Sequence, residues 1–367
     1  MRTSPASRLA RRSVLTAAGA GLVLSACGND EDEGGSGADD TAPPRPEESS
    51  PEPQAETVTI TYVGDAFPGK HPDRMPPDDD FFADVKHLFN GDIDVANLEG
   101  ALSTDEWSKC ESGCVYFTLP SEYASLYADA GFEVLNHANN HAWDAGPDGA
   151  AETREAVEGL GMHLAGHKDT ITTVEANGIT VAFVGFAGYA MFTDLRDPAA
   201  CAALVAEAKS SADLVVASAH IGAEGVDARH VTAGMETFAG ERRGDPIALS
   251  RACIDAGADL YIGHGPHVMR GMEVYNGKLV AHSLGNFGGG QGILDNSGWL
   301  GVGGVLSVTL AKDGTVKSAG FASTLMDERG YPVPDEEHRG LDAINELASD
   351  FGPDAVTAAP DGSLLLP

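Results

Sequence analysis

Basic residues are scarce in this chain, with 23 Lys and Arg against 56 Asp and Glu and a formal net charge of −33. A field of that sign excludes nucleic-acid binding through overall charge. It also repels a polyanionic substrate unless a metal centre or a local basic cluster receives it. Long apolar runs are lacking too. The run from Val14 to Ala26 is too short to span a bilayer as a helix, and no spanning helix follows it. There is no internal repeat, which excludes solenoid and propeller architectures. Cysteine is sparse, at five in 367 residues.

What the N-terminus does contain is an address. Residues 1–26 carry four arginines and no acid, and Arg11-Arg12 stand directly before the apolar run. A basic start, a short apolar stretch and small residues at its end form a signal peptide, and the arginine pair points to twin-arginine export. Leu24-Ser25-Ala26-Cys27 resembles a lipoprotein box in which Cys27 is lipidated; the competing reading is an ordinary cleaved signal with an incidental cysteine. Loss of the four arginines takes the charge from −33 to −37. Residues 27–56 read as an acidic, disordered tether with almost nothing to bury. The expected location is therefore extracytoplasmic, anchored to the cell membrane through the lipid.

In an oxidising compartment the remaining cysteines are an even set. Cys110 and Cys114, separated by Glu-Ser-Gly, are placed to close a small loop, and pairing of Cys201 with Cys253 then follows by elimination. A CxxxC zinc half-site competes for the first pair, but no nearby His or Cys completes it.

The folded part is assigned to residues 57–330, followed by a C-terminal helix and tail over 331–367. Thr57–Val63 alternates as a strand and runs into a Gly64-Asp65 loop, and Phe81–Asn90 reads as a helix. Strands are predicted at 93–96, 132–135, 179–186, 214–219 and 260–262, with helices at 121–130, 149–160, 198–210 and 246–256. Asn276-Gly277 and Asp313-Gly314 each signal a hairpin. Strands alternating with helices and followed by hairpins indicate a layered α/β architecture.

Five polar clusters fall just after predicted strands, where open α/β sheets place their sites. They are Gly64-Asp65; Asn97-Leu98-Glu99; Asn139-Asn140-His141 with Asp144; His220-Ile221-Gly222 with Glu224; and Gly263-His264-Gly265-Pro266-His267. Carboxylate, amide and imidazole groups in one place suit divalent transition metals with mixed nitrogen and oxygen coordination. Two such metals can activate a water and clamp a phosphoryl oxygen. Each cluster alone has an ordinary structural explanation: a turn at Asp65, a cap at Asn97, a satisfied core histidine at His220. The case rests on all five sharing one edge.

Through these residues the chain resembles the CapA family, associated with poly-γ-glutamate capsule synthesis. The resemblance is carried by Val63-Gly64-Asp65, Asn97-Leu98-Glu99, Ala138-Asn139-Asn140-His141 through Asp144 and Gly146, the run Ala256–His267, Glu273–Gly277 and Ser283–Phe287. It implies a fold like that of calcineurin-type metallophosphoesterases, a layered α/β/β/α sandwich of the metallo-dependent phosphatase type. It further implies Asp65, Glu99, Asn140, His220, His264 and His267 as metal ligands, taking manganese, iron or zinc, as two ions. His141 becomes the proton donor to the leaving oxygen, with Asp144 orienting it. Asn139, Glu224 and Asn286 are placed at the substrate, with a purely structural loop role open for Asn286. The chain departs from the phosphoesterase pattern in three places. Phe67 stands where metallophosphoesterases usually carry histidine, a loss that CapA-like proteins often share, Ile221 where relatives commonly carry Trp, and Gly265 where another His is frequent.

The resulting expectation is a lipoprotein that makes, exports or anchors polyglutamate or another envelope polymer, acting on that polymer or on a phosphoester beside the subunits of polymer synthesis. The competing expectation is a non-catalytic scaffold of the same assembly with a degenerate or structural metal site. A solute-binding lipoprotein shares the anchor but leaves the five clusters unexplained.

Overall fold

The computed structural model describes residues 56–76, 81–111 and 113–367. The signal segment, Cys27 and the tether up to residue 55 lie outside the described residues. Among the described residues, no helix is long and apolar enough to cross a membrane.

Two mixed sheets face each other. The first runs Pro332–Pro334, Val316–Met326, Val302–Ala311, Thr57–Phe67, Ile93–Leu98, Val134–Asn136, His163–Ala165, with Asn286–Gly289 also paired to Thr57–Phe67. The second runs Met272–Tyr275, Lys278–Ala281, Leu260–His264, Leu214–His220, Ile179–Ala187, Thr172–Ala176. Strand alternation divides the apolar residues between layers. Val58, Ile60 and Tyr62 point into the core between the sheets with Val181, Val216 and Ile262. Val63 and Ala66 belong instead to the outer face of the first sheet, under helix Ala124–Ala130. Val215, Ala217 and Tyr261 form the outer face of the second sheet, covered by helices Pro198–Lys209 and Pro246–Asp255. The layers are thus α/β/β/α, as the resemblance implied. Each fully buried Val, Leu or Ile contributes roughly 1.5–3 kcal/mol relative to exposure, so the inter-sheet layer dominates stability.

Helix starts follow local chemistry. Asp197 and Asp245 each accept a backbone N–H three residues on, from Ala200 and Ala248, and proline sits in the first turn of both helices. Ser121, by contrast, makes no side-chain cap; it opens a 3₁₀ turn ahead of Ala124–Ala130, which ends at Gly131 with φ 108°.

Three expectations are corrected. Phe81–Asn90 contains only a 3₁₀ turn at Lys86–Leu88. There Phe81, Phe82 and Phe89 fold inward onto Tyr127, Phe132, Phe287 and Tyr331, so aromatic packing overrides helical spacing. Residues 331–367 are more than a helix and tail: Leu341, Ile344, Leu347, Val356 and Leu364 join the inter-sheet core. Cys201 and Cys253 are free, buried thiols. They sit on neighbouring helices within one apolar layer and pack there as small hydrophobes. Burial pushes the Cys201 thiol up to about 12. Cys110 and Cys114 are joined in a disulfide.

Candidate metal centre at the strand ends

Strand register assembles the site. Asp65 lies opposite Asn97 on one side and Asn286 on the other, while His220 lies opposite His264 in the second sheet. Asp65, expected in a loop, belongs to the strand Thr57–Phe67, whose register shifts just after it. Gly64 permits this, because a Cβ there would stand 2.0 Å from the Gly285 carbonyl oxygen. Gly265 has φ +100°, and a Cβ on it would stand 2.8 Å from the His220 ring. Its N–H donates to Asp65 Oδ2 at 3.3 Å. That crowding accounts for a glycine at this position.

The side chains converge. His267 places Nδ1 3.2 Å from Asp65 Oδ2 and Nε2 3.5 Å from Glu99 Oε1. His264 Nδ1 is 3.7 Å from Asp65 Oδ1, and His220 Nε2 is 3.9 Å from Glu99 Oε1. Asp65, Glu99 and His267 offer ligand atoms all within 4.8 Å of one another. Among the described residues neither Glu99 oxygen, neither His220 nitrogen, nor His264 Nε2, nor Asn140 Oδ1 has a hydrogen-bond partner. Buried polar atoms are rarely left so, and a carboxylate least of all. The donor set of carboxylate oxygens, imidazole nitrogens and an amide oxygen fits a divalent cation.

The electrostatics agree. Burial, then the Asp65 charge, raises Glu99 well above the ordinary carboxylate range. Burial opposes charge on His267 as well, but Glu99 and Asp65 outweigh it and hold that imidazole well above its usual value. Burial drives His264 down to about 4 and His220 well below its usual value, so both imidazoles are neutral at neutral pH. With Asp65 and Glu99 side by side, the centre calls for positive charge.

The remaining expected residues divide by role. His141 Nδ1 donates to Asp144 Oδ2 at 2.7 Å, and Asp144 also accepts from the Phe117 N–H at 2.6 Å and from Lys109. The His141 ring stacks on Phe117, with centroids 4.0 Å apart. Burial outweighs Asp144 and lowers the His141 pKa. Asn139 is committed to the loop: its Oδ1 accepts the His141 N–H at 3.0 Å and its Nδ2 donates to the Leu98 carbonyl at 2.8 Å. Asn286 faces the cavity but pairs with His267 Nδ1 at 2.8 Å and donates to the Leu300 carbonyl at 3.0 Å, so it orients the ring. Glu224 pairs with Arg243 at 2.9 Å and lies 3.9 Å from His267 Nε2. Phe67, in the usual histidine place, packs against Gly100 and Phe117 and offers no ligand.

Sequence reasoning missed the support beneath Asp65. Ser218 donates to Asn136 Oδ1 at 3.1 Å, Asn136 Nδ2 to Asn97 Oδ1 at 2.8 Å, and Asn97 Nδ2 to Asp65 Oδ1 at 2.7 Å. All four are buried and the donors run one way, ending on the carboxylate. That direction fixes both amide orientations and spans the two sheets. Removing such support typically weakens a metal site 10–100-fold. Asn97→Ala is therefore expected to weaken divalent-metal affinity by about that factor, read by titration of the metal-stripped protein; unchanged affinity would refute the role. Also missed was the hairpin Glu236–Phe238/Glu241–Gly244, whose turn at Ala239 (φ 49°) and Gly240 (φ 83°) lacks the usual Asn-Gly signal. Buried Arg270 pairs with Glu236 at 2.8 Å and anchors the hairpin base.

Fold and centre together define an α/β/β/α protein whose strand ends carry a buried carboxylate–imidazole site suited to divalent metal. A family described as "Bacterial capsule synthesis protein PGA_cap" matches residues 59–291. The chain belongs to this bacterial capsule synthesis protein family. It is 28% identical over 318 residues to the PGA biosynthesis protein CapA of Bacillus subtilis, covering 80% of this chain and 79% of the relative. It is 29% identical over 265 residues to the capsule biosynthesis protein CapA of Bacillus anthracis, covering 65% of this chain and 61% of that one. Among solved structures, a 5′-nucleotidase precursor from Thermus thermophilus aligns with a TM-score of 0.42 at 13% identity, covering 80% of this chain and 58% of the other.

Proposed function

We propose that this chain is a metal-dependent phosphoesterase-type enzyme of capsule assembly. It works outside the cell membrane, held there by a lipid on Cys27, beside the subunits that make poly-γ-glutamate or another envelope polymer. The observation that carries the reading is Glu99: a fully buried carboxylate with both oxygens unpartnered, facing Asp65, His220 and His267. Asp65, Glu99, His220, His264 and His267 would hold the metal, with Asn140 Oδ1 a further oxygen donor. A divalent metal there supplies Lewis-acid stabilisation of charge on a phosphoryl oxygen and eases ionisation of water. His141, held through Nδ1 by Asp144, lines the cavity; burial disfavours its protonated form and Asp144 favours it, and in that form Nε2 would give a proton to the leaving oxygen. Asp144 fixes the ring; Asn286 fixes His267.

The test is elemental analysis of the purified protein beside an Asp65→Ala/His264→Ala variant. Near-stoichiometric manganese, iron or zinc that vanishes in the variant is the expected result; a wild-type protein that stays empty after incubation with each metal would end this reading. The second reading, a non-catalytic scaffold, is favoured by one observation, Phe67 in the usual histidine place. It predicts polymer binding that persists in metal-stripped protein and no turnover of any phosphodiester.

A further inference from the structure

Two cavities flank Asn140, and of these two only one reaches His267 of the centre. One, of about 530 Å³, is lined by Trp107, Lys109, Trp143, Tyr189, Glu241 and Arg243, mixing charge with aromatic rings. The other, of about 340 Å³, has His141, His267, Glu224 and Asp295 on its polar part and a larger apolar wall that includes Phe117, Phe238, Leu294 and Leu300. They meet at Asn140, which lines both. His141 lines only the second.

From this asymmetry we infer that the protein acts on phosphoesters of an apolar alcohol, whose hydrocarbon part occupies the cavity beside His141 as the leaving group. The inference rests on the phosphoesterase reading above and names the substrate class for the same site. The logic is positional. A group that protonates the leaving oxygen must stand on the leaving-group side of the phosphorus. Asp144 engages Nδ1, so Nε2 is the nitrogen that meets that oxygen, and one face of the ring is covered by Phe117. The leaving group therefore shares a cavity with Phe117, Leu294, Leu300 and Phe238. The part of the substrate that stays on phosphorus extends toward Lys109 and Arg243. In the step itself, a water oxygen bonds to phosphorus as the phosphorus–alcohol oxygen bond breaks. The electron pair leaves on the alcohol oxygen, which takes the Nε2 proton of protonated His141; the proton released by the water re-protonates Nε2 through solvent.

A second observation is independent of His141. Phe238 is 36% exposed and Val115 55% exposed, both large apolar side chains left in water at the mouth of this same cavity. They come from separate elements, the hairpin Glu236–Phe238/Glu241–Gly244 and the segment after the Cys110–Cys114 disulfide. Exposed apolar side chains converging on a cleft mark a surface that is covered when occupied. A hydrocarbon entering between them gives each added methylene roughly a fourfold gain in affinity if fully buried.

The test compares methylphosphonate with n-hexylphosphonate, which share an anionic head and cannot be hydrolysed, by calorimetric titration of the manganese-loaded protein. We expect hexylphosphonate to bind about a hundredfold tighter, the gain from burying roughly two thirds of its five added methylenes. Phe238→Ala should remove about tenfold of that advantage and leave methylphosphonate unchanged. Trp107→Ala, on the other cavity, should leave the advantage intact. Equal affinity for the two phosphonates, or an advantage lost with Trp107 and not with Phe238, would overturn the inference while leaving the phosphoesterase reading in place. A metal-loaded protein that binds neither phosphonate would remove both.

Discussion

His141→Ala is expected to lower turnover of a phosphodiester by roughly two to four orders of magnitude, with metal content unchanged. The two halves of that result come from different parts of the structure. Turnover falls because no other described side chain is fixed by a carboxylate with its far nitrogen turned toward the cavity beside His267. Metal is retained because the contacts of His141 run to Asp144, Asn139 and Phe117, not to Asp65 or Glu99. The fold should tolerate the change. Asp144 keeps the Phe117 N–H and Lys109 as partners, so no buried carboxylate is orphaned. Steady-state kinetics with elemental analysis on the same preparation decides it. A variant as active as wild type would remove His141 from the chemistry, and one that loses its metal would show the residue to be part of the cation site.

Much of the site was legible because it is written at strand ends. Gly263-His264 with His267 announces itself by spacing, and Asp65, Glu99 and His220 each follow a β-branched or apolar run. What stayed hidden is what spacing cannot show. Asn136 and Ser218 look like ordinary polar interruptions of apolar strands. Only the face-to-face packing of two sheets brings Ser218 against Asn136 and builds the donor chain to Asp65. Asn139 and Asn286, expected at the substrate, satisfy backbone groups and a ring nitrogen first, since a buried amide left unpaired costs more than a solvent-facing one gains. The layered α/β plan was readable from alternating strands and helices. The stretch after Phe81 was not, because its aromatic spacing serves a cluster assembled from four separate segments. Cys201 and Cys253 were misread for a related reason: an even count says nothing about whether two thiols are packed as hydrophobes.

Glu99→Gln provides the sharpest energetic test of the centre, because it separates metal binding from folding. Wild-type protein stripped by a chelator keeps a carboxylate with no hydrogen-bond partner among the described residues, deep beside Asp65. Adding a metal that binds only the folded state stabilises it by about 4 kcal/mol at a concentration a thousandfold above Kd. For a folded part of this size that corresponds to a rise in Tm on the order of 10 °C. Glutamine preserves shape but supplies a weaker, neutral oxygen donor, so most of this rise should disappear in the variant. The chelated variant should melt close to chelated wild type, because the loss of the 3.5 Å pairing with His267, which keeps Asp65 and Asn286 as partners, is offset by removal of the desolvation penalty of a buried carboxylate. A merely structural Glu99 predicts the opposite pattern: a lower Tm in chelator and an unchanged response to metal. Thermal melts of both proteins, with and without manganese, tell these apart in one experiment. A metal-induced rise that survives Glu99→Gln intact would take Glu99 out of the ligand set.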